Sequence, residues 1–274
     1  MKSAVKVVQE QIKHFYLIRR LSQYELKSQN KSNYLGMAWE VINPAIQILI
    51  YWFVFGTLRE KAPVEVSGEE IPFFSWLLAA FFLWIFFYQA TIQGSKSIYT
   101  RLKMLSKMNF PMSIIPSYVI FSQFYVHIFM IVLSIIFFQF NGYYINLYYL
   151  QLFYFMFGAF SLIFAISLIT STLSTIIRDI HMLINSVLRM MLYLSGVLWP
   201  ITILASEFPV ILNIIKLNPL IYLIEGYRAA FFSNSWYFLV EWEYTLYFWG
   251  IVILLLIIGS FLHVRFRRHF IDYL

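Results

Sequence analysis

The 274-residue chain has no cysteine, which excludes disulfides and thiol chemistry. Charge is scarce as well. Charged residues make up 12% of the chain, against roughly a quarter in a soluble domain. No Gly-x4-Gly-Lys-Ser/Thr is present. Gly94-Ser95-Lys96 lacks the upstream glycine, so no phosphate-cradling loop is expected. A Gly-x-Ser-x-Gly nucleophile elbow is also missing. His14, His127, His181, His263 and His269 have no metal-ligand spacing, and His127 reads as a packing or pore residue. Carboxylates are absent from most of the apolar runs, which argues against a proton or sodium relay. The expectation is a chain that is not an enzyme by itself, holds no cofactor or metal, and takes energy for any transport from elsewhere. The first thirty residues lack a signal-peptide core, so the N-terminus is expected to stay inside.

What is present is apolar surface: 61% of residues are hydrophobic and 21% aromatic. That composition predicts an all-α, polytopic membrane protein. The net charge of +7 fits retained cytoplasmic loops better than nucleic acid, because the basic residues flank apolar runs. Asn33 to Glu60 sets the frame. It is uncharged from Val41 to Leu58, about the 18–20 residues a helix needs to cross the hydrocarbon core. Lys2, Lys6, Lys13, Arg19, Arg20, Lys27 and Lys31 precede it. After it, Glu60, Glu65, Glu69 and Glu70 outnumber Arg59 and Lys61. The first span is therefore expected to run from inside to outside.

Before it, Val5, Val8, Ile12 and Phe15 step by three or four, with Lys6, Gln9 and Lys13 between them. This predicts an amphipathic helix in residues 1–33, suited to a membrane surface. The six-span region is expected to fill residues 34–274. Further spans are predicted at about Pro72–Gln93, Met112–Phe138, Leu147–Thr172, Met182–Trp199 and Tyr244–His263. Residues 94–111 form a basic inner loop in which Ile98, Leu102 and Leu105 follow helical spacing. Residues 204–243 contain two short apolar pieces, Phe208 to Leu217 and Leu220 to Phe232, broken at Asn218-Pro219. Each is too short to span, so a re-entrant hairpin on the outer side is expected. Its Tyr222, Tyr227 and Arg228 are expected to narrow the outer mouth, with Arg228 pairing with Glu225 or meeting a phosphate. This layout puts sixteen of the twenty basic residues and both termini inside.

Four stretches carry a resemblance. They are Tyr34-Leu35-Gly36-x-x-Trp39-x-x-x-Asn43-Pro44, Met108-Asn109-Phe110-Pro111, Arg178-Asp179-Ile180, and Asn218-Pro219-Leu220-Ile221-Tyr222-x-x-x-Gly226-Tyr227-Arg228. In this order they resemble the membrane subunits of type-2 ABC exporters for cell-surface polysaccharides. The likeness is greatest to teichoic acid translocation permeases, and O-antigen and capsule permeases share the motifs. Met112 stands where a basic residue usually follows Phe-Pro. The resemblance implies a homodimer in a bacterial cytoplasmic membrane, docked on two ATPase subunits that bind ATP and magnesium. Its cargo would be a polymer on a polyprenyl diphosphate lipid, wall teichoic acid first. It further implies that a coupling helix carrying Ile98, Arg101, Leu102, Leu105, Lys107, Phe110 and Pro111 meets the ATPase. Arg178 and Asp179 would brace the inner mouth. Two other classes remain open: an exporter subunit for a drug or small lipid, and an ATP-independent scramblase or membrane transferase.

Overall fold

The computed structural model describes residues 2–29, 31, 33–54, 62–66, 68–102, 111–204, 208–267 and 270. Two short helices, α1 (Lys2–Lys13) and α2 (Phe15–Gln29), lead to α3 (Trp39–Trp52). Gly36, at φ +49°, makes the bend between α2 and α3, where a side chain would be strained. Pro44 lies inside α3 and removes one backbone donor there. A two-stranded antiparallel hairpin, β1 (Val64–Val66) and β2 (Glu69–Ile71), pairs Val64 with Ile71. The long helices α4 (Phe73–Lys96), α5 (Ile114–Phe140) and α6 (Gln151–Ile176) follow. Then come α7 (Asp179–Leu194), the bent pair α8 (Pro209–Lys216) and α9 (Pro219–Phe232), α10 (Tyr237–Val240) and α11 (Trp242–Phe266).

Four expected spans are met in length and composition. Residues 73–96, 114–140, 147–176 and 242–266 are long and apolar enough to cross a membrane. Among the described residues these are four such helices, or five if the bent pair counts as one span, and the described part does not cover the whole expected first span. The helix expected to run to Trp199 stops at Leu194. Its sixteen residues reach about 24 Å, short of the roughly 30 Å hydrocarbon core. The first span is an α-helix of fourteen residues, Trp39–Trp52, followed by Phe53 and Val54 in a wider turn. Residues 55–61 lie outside the described part. The acidic loop after it is strand where no strand was expected.

The core gathers where α4, α5, α6 and α9 meet. Almost all of α4 is buried, so its phenylalanines and tryptophans pack against protein on nearly every side. The break between α8 and α9 falls at Asn218-Pro219, as the composition predicts, and the pair bends by 93°. The Asn218 side chain accepts a hydrogen bond from the Leu220 backbone N–H (3.1 Å), and Pro219 occupies the first turn. Both devices start a helix where the previous one ends. Gly226 lets α9 touch α6: a Cβ there would lie 2.3 Å from the Phe155 ring.

The basic loops collect at one end of the bundle. There α1 lies along the end of α11, and α2 lies against α5. Glu10 pairs with Arg267 (3.0 Å), and Glu25 pairs with Arg101. The Gln11 amide donates to the Ser113 carbonyl (3.1 Å) and accepts from the Ser117 hydroxyl (2.6 Å). The polar side of α1 thus faces protein. Val5, Val8 and Ile12 are exposed on its outer side, and Phe15 is exposed at the start of α2.

Candidate functional site

A groove of about 470 Å³ runs between α3, α4 and α7. Its walls follow from helical spacing. On α4, Phe81, Trp84, Ile85 and Tyr88 share one face. On α3, Gln47 and Tyr51 are four apart, and on α7 Arg189 is followed by Leu192 and Tyr193. Tyr51 meets the Phe81 ring edge-on at 4.9 Å, and Trp84 lies 6.0 Å from Tyr88. The Tyr88 hydroxyl donates to the Asn185 side-chain oxygen (2.8 Å) and holds α7 to α4. Below it, Ser95 and the His181 Nδ1 are 2.8 Å apart.

Aromatic faces, the Gln47 and Gln89 amides and one guanidinium therefore line a single open space. Arg189 is exposed and has no ion-pair partner among the described residues. Rings can cover the apolar face of a sugar, amides can bond its hydroxyls, and a free guanidinium can pair with a phosphate. Tyr51, Trp84, Tyr88 and Gln47 were not singled out from the sequence, although their three- and four-residue steps are visible in it.

The residues that were singled out lie elsewhere. Trp39, Asn43 and Pro44 line a polar cavity on the other side of α3. Ile98 and Leu102 are buried with Ile18, Ile114, Ile115 and Tyr118. They fasten the inner loop to α2 and α5, and their apolar faces are not free to enter a partner's cleft. Arg101 lies above the Tyr118 ring at 5.7 Å as well as pairing with Glu25. Pro111 is described, half-buried before α5; Leu105, Lys107 and Phe110 lie outside the described residues. Arg178 and Asp179 are exposed and form no ion pair among the described residues. Burial pushes the Tyr99 hydroxyl pKa up, and the nearby Arg178 charge partly offsets it, so Arg178 sits beside the inner loop. Asp179 opens α7, where a carboxylate suits the helix dipole.

The residues expected at an outer mouth are interior in the single chain. Tyr222, Tyr227 and Arg228 are all buried inside the chain. The Tyr222 hydroxyl is bonded to Thr245 (2.8 Å) and its ring stacks on Phe248 at 4.8 Å. Tyr227 meets His127 Nε2 at 2.8 Å. Arg228, 1% exposed, lies 3.4 Å above the Trp76 ring. It donates to Glu225 (2.7 Å), the Gly196 and Val197 carbonyls (2.9 and 3.3 Å) and the Trp76 carbonyl (3.4 Å). The expected local pair is present, but every guanidinium nitrogen is occupied, and none is left for a phosphate.

Comparison with known proteins gives the context. The family described as ABC-2 type transporter matches residues 16–232. An O-antigen export system permease protein, RfbA, of Myxococcus xanthus is 23% identical, over 84% of this chain and 85% of its own. Two proteins of that name from Klebsiella pneumoniae are each 25% identical, over 92% of this chain and 93% of theirs.

Proposed function

This chain belongs to the ABC-2 type transporter family, and on that premise we propose that it is the membrane permease of a polysaccharide exporter. The carrying observation is the near end-to-end likeness to O-antigen export permeases. The aromatic and amide groove supports the same reading. In it the cargo is an O-antigen-type glycan on a polyprenyl diphosphate lipid. Teichoic acid, which the motifs put first, drops to second place, because the relatives are O-antigen export permeases.

Two copies of the chain work with two ATPase subunits, which bind ATP and magnesium. The permease itself carries no catalysis. The basic end faces the cytoplasm, following the positive-inside bias. There α1 and the start of α2 lie in the interface, with the Val5, Val8, Ile12 and Phe15 stripe in the inner leaflet. The ATPase docks on the inner loop through the faces that Ile98 and Leu102 leave exposed. Arg189 meets the diphosphate in the groove.

Depleting the chain in cells and identifying the lipid-linked polymer that accumulates inside tests this reading. Accumulated O-antigen-type glycan supports it. Accumulated teichoic acid moves the cargo to the second reading, and no accumulated glycan overturns export.

A further inference from the structure

Three helices place polar residues four apart inside otherwise apolar runs. The pairs are Asn43 and Gln47 on α3, Gln89 and Gln93 on α4, and Gln123 and His127 on α5. Residues at i and i+4 share a helix face. Asn43, Gln89, Gln93 and Gln123 converge on one cavity of about 170 Å³. Gln29, Glu40 and His127 complete its polar lining, and Trp39, Phe82 and Phe86 belong to its apolar wall. Gln89 lines both this cavity and the groove on the far side of α3, and Gln47 continues the Asn43 face into that groove.

Carboxamides at membrane depth are costly unless they are bonded. The side chains of Asn43, Gln47, Gln89 and Gln93 have no hydrogen-bond partner among the described residues, and Gln123 reaches only Gln29 at 3.4 Å. The amides therefore keep free capacity, each able both to donate and to accept. A hydroxyl has that same double character. Charge narrows the choice further. Among the described residues no lysine or arginine lines the cavity, and the one acidic residue there is Glu40, so an anionic group is disfavoured and a neutral one is not. The groove is the opposite case, since Arg189 is its charged residue.

We propose that this cavity is a binding site for a neutral pyranose, held by the Asn43, Gln89, Gln93 and Gln123 amides with Trp39 as an aromatic wall. The ligand class rests on the cavity alone; that the sugar belongs to exported polymer rests on the proposed function. Cavity and groove then divide the labour, hydroxyls on one side of α3 and phosphate on the other, with Gln89 serving both.

The test uses the full chain in nanodiscs, without the ATPase. Octyl β-D-glucoside is added below its micellar concentration, and saturation transfer to its ring protons is read by NMR. Octyl phosphate is the anionic competitor of equal chain length. Gln93→Leu and Gln123→Leu are each expected to weaken binding about fivefold. If Gln123→Leu does not fold, Gln89→Leu, at an exposed side chain, gives the same readout. Unchanged ring signals in folded Gln93→Leu and Gln89→Leu overturn the site. Displacement of the glucoside by an equal concentration of octyl phosphate also overturns it, in favour of an anion site. The assay involves no export, so its failure leaves the depletion result standing, and a failed depletion result leaves this one standing.

Discussion

Two arginines divide the molecule. Arg228 sits in the packed body of α4, α5, α6 and α9, with an aromatic face, a carboxylate and three carbonyls around it. Arg189 sits on α7 beside the groove, exposed and without an ion-pair partner among the described residues. A buried cation must be paired or its desolvation goes unrecovered. A cation left open in a membrane domain has a free charge to offer a passing ligand. The same contrast holds for the helices around them. The body is closed by aromatic packing, whereas α3 stands between two cavities and touches α4 and α5 sparingly. On the proposed reading, stability and transport draw on different residues.

The largest test of that division is Arg228→Ala. It strips Glu225 of its partner and leaves the Gly196 carbonyl unbonded. A loss of roughly 3–5 kcal/mol is expected for a broken buried pair, nearer the lower figure because Glu225 is 29% exposed. Thermal unfolding in detergent should show a large fall in midpoint, and low membrane levels should follow. A folded Arg228→Ala protein that fails only in export would break the comparison. Next is Gly226→Ala. The added methyl would meet Phe155 ring carbons at 2.3–2.6 Å, so α9 and α6 must separate. Overpacking of this kind costs about 1–3 kcal/mol, again read as a lower unfolding midpoint.

How much of this was legible in the sequence depends on how far each feature reaches along the chain. Four spans follow from apolar length, and the α8–α9 break follows from Asn218-Pro219, because both signals are local. The use of Arg228 was only half visible. Glu225 is three residues away, but Trp76 is 152 residues upstream and the carbonyls belong to a turn after α7. The spacing of Ile98 and Leu102 marks an apolar face, but nothing local in the sequence shows that α2 and α5 cover it. The amide pairs were visible at i and i+4. They went unread because each helix alone shows two polar residues in an apolar run, and only their convergence makes a site. The α7 length was overestimated because Ser195-Gly196, with Gly196 at φ +70°, ends the helix inside a run that composition alone would continue.

On the groove side the effects move from stability to transport. Arg189→Ala is expected to keep the unfolding midpoint within about 0.5 kcal/mol of the parent, as exposed substitutions do. Export, read as accumulation of the lipid-linked polymer inside cells, is expected to fall clearly. Arg189→Lys should recover part of it, because an ammonium keeps the charge but loses the planar fork. Full export in Arg189→Ala would mean that the open cation is a bystander and would remove half of the contrast.

The smallest effect belongs to the basic end, where α1 joins the body through Glu10. Burial alone would raise the Glu10 carboxyl pKa. The Ser113 hydroxyl, the Arg267 guanidinium and Lys6 outweigh burial and hold it below its ordinary 4.5. A carboxylate depressed in the folded state adds stability that is present above its unfolded value and is lost as pH falls through the folded one. The docking of α1 should therefore be unaffected near neutrality and weaken below about pH 4.5. Because the pair is only partly shielded from solvent, the contribution is expected to stay under about 1 kcal/mol. Glu10→Gln keeps the hydrogen-bonding shape and removes the titration. Unfolding midpoints measured for both proteins between pH 7 and pH 3.5 should differ at neutral pH and converge as the parent's carboxylate is protonated. A constant difference across that range would show that Glu10 holds α1 by shape and hydrogen bonding, with no share from its charge.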